Sequence, residues 1–267
     1  MPYRFPVPKG LFSPAAALLA KDANEIMSIR TFRSAAIGML SGLALVTLQG
    51  PAVGIPLVKE TGEPHPLYGR EILFDVFRGG DKVGFHRVHF EKSDQGLTVR
   101  SRFELEIGFL FFAAYTFLYT SEARWVGGEL KSLKASVNDD GEFFSFAAHR
   151  DQDLISIQNS DGINTTDAPL IPTNHWNAAV LSQSRVLNTL TGDVNNVRIT
   201  PQKREQVETE QGLVLATHYV YSGDLETEVW YDTKGRWVKM RFIASDGSTI
   251  DYRCSRCQGV PLTQSAL

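Results

Sequence analysis

Two cysteines, Cys254 and Cys257, are the residues whose type and spacing point most directly to chemistry, and the 267-residue sequence contains no others. Their C-x-x-C spacing is typical of a redox couple, of half a zinc site or of a short structural disulfide. Zinc would need two further ligands, and only scattered histidines are available. A thioredoxin-type couple would begin a helix, whereas Cys254 ends a predicted strand. We therefore expect a disulfide of small stabilising effect, because its loop is very short; two free thiols are the alternative.

Histidines and carboxylates elsewhere give weaker indications of a site. His86 and His89 are three residues apart in a predicted strand, so they point to opposite faces of the sheet and do not predict a metal site. Asp224, Glu226 and Glu228 share one face of another predicted strand, where mutual repulsion could support acid–base catalysis. The solvated face of an antiparallel sheet has the same pattern, and we favour that interpretation. The sequence therefore predicts neither a metal site nor a cofactor.

The most unusual segment is IGFLFFAAYTFLYTS, residues 107–121, which is uncharged and rich in aromatic side chains. It is too short for a helical membrane span, which needs about 20 residues. One interpretation is a central strand that is apolar on both faces. The other is that one face lines an apolar cavity. In that case the ligand-binding candidates are the aromatic residues of one face together with a nearby tryptophan: Phe109, Phe111, Tyr115, Phe117, Tyr119 and Trp176.

The elements that must position these residues are mainly strands. Apolar and polar residues alternate at 97–107, and similar runs recur between turns rich in Gly, Asn and Asp, which predicts about eleven short strands. A helical period occurs once, at 174–190, after possible capping residues. We expect a mostly β fold over residues 71–254: a single large curved antiparallel sheet, forming a half-barrel or barrel-like meander, with one amphipathic helix packed against it.

The N-terminal 54 residues do not look like part of this domain. After Met27 the chain has arginines, an uncharged apolar core and small residues at 52–54, which is the layout of a secretory signal peptide. We expect cleavage near Gly54, with residues 1–26 lying upstream of the true start. A retained membrane anchor is the alternative.

The remaining regions are an extended leader at 55–70 and a C-terminal tail at 255–267. The formal net charge is −3, and no basic cluster is present for nucleic acid or for anionic lipid. We therefore expect an exported, periplasmic protein without a stable membrane span after cleavage and without a nucleic-acid partner. Its oligomeric state is left open.

A family resemblance is carried by four segments that follow one another between residues 70 and 253: EILFDVFRGGDKVGFHRVHFEK, SEARWVGGELKSLKASVNDDGE, PTNHWNAAVLSQSRVLNT and GDLETEVWYDTKGRWVKMRFIASDGSTIDYR. Together they resemble the DUF6134 family of exported bacterial proteins. This resemblance implies no reaction and no catalytic residue. The sequence is more weakly similar to DUF3108 proteins. At the level of fold it is similar to LolA and LolB, lipoprotein carriers in which a curved antiparallel sheet wraps around helices and forms an apolar cavity.

The function that these observations favour is non-catalytic. We expect the protein to bind or carry an apolar ligand, such as a lipid or acyl chain, or to assist envelope assembly. One alternative is an enzyme acting on a lipid-like substrate. Another is a structural partner of a second envelope protein, contacted through the aromatic segment. An apolar cavity would favour the carrier. Convergent polar groups with displaced pKa values would favour the enzyme. A filled core with an exposed apolar patch would favour the structural partner.

Overall fold

Alternating apolar side chains fold most of the chain into strands whose apolar faces meet in one core. The structure is a computed structural model that describes residues 65–109, 112–244 and 246–259. In the strand Gly96–Phe109, for example, Val99, Phe103 and Leu105 are buried, whereas the side chains between them alternate towards solvent. The sheet therefore has one face in the core and one face in water, which is the usual state of an antiparallel sheet.

Fifteen strands are present in the described part of the chain, and their bounds follow the predicted alternation closely. The first eight are β1 (Glu71–Arg78), β2 (Asp81–Ser93), β3 (Gly96–Phe109), β4 (Phe112–Val126), β5 (Glu129–Asp139), β6 (Glu142–Asp151), β7 (Leu154–Asn159) and β8 (Gly162–Asp167). The others are β9 (Ile171–Pro172), β10 (Arg185–Leu187), β11 (Val194–Thr209), β12 (Gly212–Gly223), β13 (Thr227–Asp232), β14 (Trp237–Ile243) and β15 (Thr249–Arg256). No helix within these ranges is long and apolar enough to cross a membrane.

All fifteen strands belong to one sheet with the order β8-β7-β6-β5-β4-β3-β2-β1-β15-β14-β13-β12-β11-β10-β9. Neighbouring strands are antiparallel except β9 and β10, which are parallel. Turns alternate between two ends of the sheet, because consecutive strands are hairpin-connected. One end of the sheet holds the turns that join β1 to β2, β5 to β6, β7 to β8 and β14 to β15. We call this end the hairpin end.

The sheet curls but does not close into a barrel. Its two edges are β8 and β9, and no strand ladder joins them among the described residues. The guanidinium of Arg185 in β10 donates a hydrogen bond to the hydroxyl of Thr166 in β8, so the two ends of the sheet lie side by side. We call this contact the seam. The half-barrel form of the sequence prediction is therefore correct, and a closed barrel is not formed.

Residues 168–193, which we call the plug, leave β8 and cross the concave face before β11 begins. The amphipathic helix predicted at 174–190 is wrong: the plug contains only a short 3₁₀ helix, Ala178–Ser182, and the two short strands β9 and β10. The apolar residues that suggested the helix, such as Val180 and Leu187, are nevertheless completely buried.

Short polar side chains explain why the plug is not helical. Asn177 caps the short 3₁₀ helix by accepting a hydrogen bond from the backbone N–H of Ala179. Outside that helix, Asn188 accepts a hydrogen bond from the backbone N–H of Leu190, and the Thr173 hydroxyl accepts one from that of Thr189. Asn and Thr side chains of this kind compete with the helical backbone pattern. The strand β10 then pairs with β11, which removes its backbone groups from any helix.

The predicted leader and tail are both part of the fold where they are described. Residues 65–70 form a turn closed by the His65–Gly69 bridge rather than an extended segment, and Tyr68 is buried in the core. Strand β15 continues to Arg256, and Gln258 after it is also buried. The predicted signal peptide lies outside the described residues.

Candidate functional site

The aromatic residues that were predicted to line a cavity are buried in the core wherever their side chains are described. Tyr115, Phe117 and Tyr119 on β4 are at most 3% exposed, and Trp176 in the plug is 7% exposed. Trp176 packs edge-on against Phe90 and Trp125. Phe111 lies outside the described residues, and Phe109 is described only through its backbone pairing with β4. The structure thus places the three described β4 candidates on one face of the sheet and Trp176 in the plug, all within the same buried core.

Polar contacts fix the plug to one wall of the sheet. The amide nitrogen of Asn174 lies 3.3 Å from the Ser101 hydroxyl and 3.5 Å from the Ser121 hydroxyl, to which it donates. The Tyr119 hydroxyl donates to the Asn174 side-chain oxygen over 3.4 Å. Asn174, Ser101 and Ser121 are all buried. These hydrogen bonds stabilise the contact, because a buried polar group without a partner raises the free energy of the folded state.

The opposite wall holds the plug through tyrosine hydroxyls and plug carbonyls. Tyr231 donates to the His175 carbonyl oxygen over 2.6 Å, and Tyr68 donates to the Trp176 carbonyl over 3.0 Å. Tyr68 also accepts from the Trp237 backbone N–H at 2.8 Å. Burial raises the pKa of Tyr68 and Tyr231 well above the ordinary tyrosine value, so both remain hydrogen-bond donors at physiological pH.

Two histidines lie in the aromatic core between the plug and the sheet. The rings of His86 and His175 both contact Trp237, with centroids 5.5 and 5.6 Å away. Both nitrogens of His86, Nδ1 of His175 and the hydroxyl of Tyr221 have no hydrogen-bond partner within the described ranges. Burial lowers the pKa of each histidine to about 3, and the proximity of His175 adds to the effect on His86. The two rings are therefore neutral at physiological pH.

Burial is not uniform on the concave face. Most of its apolar side chains are almost completely enclosed, as at Phe117 and Phe74. Some near the hairpin end are only partly buried, and Phe144 on β6 is 43% exposed. We call these side chains the apolar rim: Val83, Ile107, Phe144, Leu190, Ile199 and Phe242.

The other side chains singled out in the sequence do not form a catalytic group. His86 faces the core, whereas His89 faces the outer surface, as the strand period predicted. Asp224 precedes β13 and accepts from the Asn196 backbone N–H at 2.8 Å, whereas Glu228 is ion-paired with Arg241 at 2.6 Å. Glu226 is exposed. The three carboxylates therefore do not act as one row.

The cysteines lie at the end of β15, with their sulfur atoms at disulfide-bonding distance and their Cα atoms 5.7 Å apart. Glu210, in the turn between β11 and β12, contacts both of them. Glu210 could not be identified from the sequence, because it precedes Cys254 by 44 positions and belongs to no motif.

The turn between β13 and β14 is held by a buried ion pair that the sequence analysis also did not identify. Asp232 accepts from the Arg236 guanidinium at 2.7 Å and from the backbone N–H groups of Lys234 and Arg236, each at 2.9 Å. Arg236 also donates to the Gln258 carbonyl over 2.8 Å, which connects the turn to the C-terminal end of the fold. This arrangement is structural, since both charged groups are buried and paired.

Comparison with known proteins agrees with this architecture. A crystal structure of a β-barrel-like protein of the domain of unknown function DUF1849, from Brucella abortus, has a TM-score of 0.52 at 12% sequence identity. The likeness covers 72% of this chain and 98% of that one, and at this identity it concerns the fold alone. No curated protein matches the sequence.

The family comparison matches the sequence resemblance described above. The model of the domain of unknown function DUF6134 matches residues 74–255, which run from β1 to β15 and include the plug, the whole apolar rim and Cys254. Cys257 lies two residues beyond the match. Because the match covers most of the chain, the protein belongs to the DUF6134 family.

Proposed function

We propose that the protein is a non-catalytic binding protein for an apolar ligand of the acyl-chain type, and that the ligand contacts the apolar rim. The supporting observation is that several apolar side chains near the hairpin end are only partly buried, although most of the concave face is enclosed. The rim side chains come from strands on both halves of the curled sheet and from the plug. A concave apolar surface with few charges is the usual form of a site for such ligands.

The residues with strongly displaced pKa values support binding rather than catalysis. His86 and His175 are enclosed by aromatic rings and have no route by which a substrate would reach them through the described core. A general acid or base must come within hydrogen-bond distance of the group it serves. The enzyme alternative therefore receives less support from this geometry than the binding function.

We also propose that the protein acts outside the cytoplasm, in the periplasm of its host. Two observations support this localisation: the signal-peptide layout of the N-terminal sequence and the pairing of the two cysteines. N-terminal sequencing of the protein from its native host tests the proposal, with a mature terminus expected near residue 55. A terminus at Met1 or Met27 would contradict it.

A fluorescent fatty acid titrated into the purified protein tests ligand binding. Phe242→Gln and Ile107→Gln place a polar group in the rim, and each should weaken binding at least about tenfold, since one apolar side chain contributes roughly 1.5–3 kcal/mol. Ile243→Gln is the matched control, because Ile243 follows Phe242 but faces outwards and is 59% exposed. It should bind as the wild type does.

Two results would overturn the proposal. The first is that the wild-type protein does not bind the probe at any concentration below the probe's critical micelle concentration. The second is equal affinity in the rim variants and the Ile243→Gln control. Near-ultraviolet circular dichroism of each variant separates loss of binding from loss of the fold.

A structural partner is the second candidate function, and one observation favours it. The outer face of β6–β8, at one edge of the sheet, carries three strongly exposed apolar side chains: Phe143 (78%), Ile163 (67%) and Leu154 (50%). An edge strand with exposed apolar groups is a common site for strand addition by another chain. A photo-crosslinking residue at position 163 should then give one discrete adduct in cells, whereas the same residue at exposed position 213 should give none.

A further inference from the structure

The Glu210 carboxylate is held by the same loop that carries the two cysteines. Its Oε1 atom accepts hydrogen bonds from the backbone N–H groups of Cys257 at 3.0 Å and Gln258 at 2.8 Å. These two contacts fix the orientation of the carboxylate. The other oxygen, Oε2, is thereby directed at the sulfur atoms, 2.9 Å from Cys254 Sγ and 3.6 Å from Cys257 Sγ.

While the cysteines are paired, the sulfur atoms offer Oε2 no hydrogen-bond donor. A disulfide sulfur carries no proton, so Oε2 faces two atoms that cannot donate a hydrogen bond. In the dithiol state the same three atoms become two thiols and a carboxylate. All three lie within 4.8 Å of one another.

We propose that Cys254, Cys257 and Glu210 form, in the dithiol state, a binding site for a thiophilic divalent cation such as Zn²⁺. Zinc binds thiolate sulfur at about 2.3 Å and carboxylate oxygen at about 2.0–2.2 Å, with its ligands at the corners of a tetrahedron. Three ligand atoms this close to one another need only small shifts to reach that geometry once the S–S bond is broken. The backbone N–H groups on Oε1 supply the outer contacts that orient a metal-binding carboxylate.

The site exists in only one of two redox states. A dithiol reductant supplies two electrons and two protons, which convert the Cys254–Cys257 disulfide into two thiols while the reductant becomes a disulfide. The cation then displaces both thiol protons, because only thiolates are good zinc ligands. Oxidation reverses the process: the cation leaves, the S–S bond forms again and two electrons pass to the oxidant.

The surroundings suit a cation with one open coordination position. Cys254 is partly exposed and Glu210 is exposed, whereas Cys257 is completely buried. Cys254 and Glu210 line a groove of about 470 Å³, which gives the fourth ligand position access to solvent. Lys239 and Arg253 line the same groove together with the carboxylates Glu208 and Asp251, so the rest of the groove adds no net charge to the site.

Cobalt binding to the full chain tests the proposal, because Co²⁺ bound to thiolates gives an intense near-ultraviolet charge-transfer band. The protein is reduced with a phosphine, kept without oxygen and titrated with Co²⁺. We expect one equivalent to bind with this band, and Zn²⁺ to displace it. The oxidised protein, treated in the same way, should show no band.

The variants assign the ligands. Cys254→Ser and Cys257→Ser each remove one of the two thiolates and should abolish stoichiometric Co²⁺ binding with the charge-transfer band, and Glu210→Gln should weaken Co²⁺ binding at least about tenfold. Glu208→Gln is the matched control: this exposed carboxylate lines the same groove, and its loss should leave affinity unchanged. Absence of the band in the reduced wild type would overturn the site. Equal weakening by Glu208→Gln and Glu210→Gln would show that only general negative charge is involved, and would overturn the role of Glu210.

Discussion

At the scale of single residues, the buried histidines are the least ordinary feature of the core. A buried polar atom without a partner raises the free energy of the folded state by roughly 1–3 kcal/mol, and His86, His175 and Tyr221 contain four such atoms within the described ranges. All three residues lie where the plug meets the sheet. The contact between these two parts is therefore held by packing and by the tyrosine–carbonyl hydrogen bonds, while the histidine rings make it sensitive to protons.

We expect this sensitivity to appear as acid destabilisation. The folded pKa of His86 and His175 is about 3 and the ordinary histidine value is 6.5, so between these values the unfolded chain binds protons that the folded chain does not. Stability is then complete above about pH 6.5 and falls as the pH is lowered, by at most about 1.4 kcal/mol per pH unit for each histidine. Urea denaturation between pH 7.5 and 4.5 measures this slope.

His86→Leu should remove one histidine's share of the slope, because leucine cannot take up a proton. The control is His149→Leu, since His149 is exposed on the outer face of β6. If the His86→Leu protein and the control lose stability with acid at the same rate, the buried histidines are not the cause.

The buried pair Asp232–Arg236 gives a second prediction at this scale. Asp232→Ala leaves the Arg236 guanidinium, only 9% exposed, without its ion partner, which should cost about 3–5 kcal/mol of unfolding free energy. Glu104→Ala breaks the exposed pair with Arg102 and should change stability by less than about 1 kcal/mol. Similar values for the two variants in guanidinium denaturation would contradict the assignment of a buried structural pair.

At the scale of elements, the plug decides what the concave face can do. It fills the space that the sequence analysis assigned to a ligand, and it does so without a helix. Its attachment to β6 depends on Gly192, which has a φ of +80° and lies where a Cβ would be 2.8 Å from the ring of Phe146. The plug therefore approaches β6 too closely for any larger residue at this position.

Gly192→Ala and Gly247→Ala separate backbone strain from this close approach. Both glycines have similar positive φ values, +80° and +84°, but nothing lies within 4 Å of a Cβ at Gly247. The backbone strain should cost about 1–2 kcal/mol at each position. Gly192→Ala should lose about 1–3 kcal/mol more, because its methyl group overpacks the contact. Equal losses of unfolding free energy for the two variants, measured by thermal or urea unfolding, would show that the plug can shift to accommodate the methyl group.

Phe117→Ala tests whether the aromatic segment is core. Phe117 is 1% exposed and contacts Phe103, so we expect the full penalty of about 3–5 kcal/mol for truncating a packed phenylalanine. A much smaller loss would mean that the space around it is already open, and would move the ligand site from the rim to the centre of the concave face.

The sequence predicted the long strands well, because their period-two alternation is set by burial of one face of the sheet. Strand β8 was missed, since GINTTD is exposed almost throughout and so lacks the alternation. The helix was wrong because the spacing of Trp176, Val180 and Leu187 reports burial on one side, which an irregular segment also satisfies. Glu210 could not be found from local sequence at all, since only the fold of β11–β12 brings it to the cysteines.

At the scale of the whole molecule, the sheet has a stable middle and exposed edges. Strands β3 and β4 pair on both sides over most of their length, whereas β8 pairs only with β7 and its side chains are mostly exposed. Regions with few buried contacts and a free backbone edge open at low free energy. The β8 end of the sheet is therefore the part of the described fold that should open first.

Hydrogen exchange measures this difference directly. We expect the amides of β8 to exchange at least about 100-fold faster than those of β3 and β4 at neutral pH. Arg185→Gln, which weakens the seam, should accelerate exchange in β8 and leave β3 unchanged. Protection of β8 equal to that of β3 would show that another chain or a self-association covers this edge.

The seam has a consequence for the size of what the molecule can enclose. In a closed barrel, strand number and stagger fix the diameter, so a larger guest breaks the backbone ladder. Here the circumference ends at one side-chain hydrogen bond between Arg185 and Thr166, whose net value is about 1 kcal/mol. Widening the curl would break that bond and the plug's hydrogen bonds to both walls, but it need not break any described backbone ladder. If the protein binds an apolar ligand as proposed, the ligand's size would therefore be limited by side-chain contacts rather than by the strand ladders.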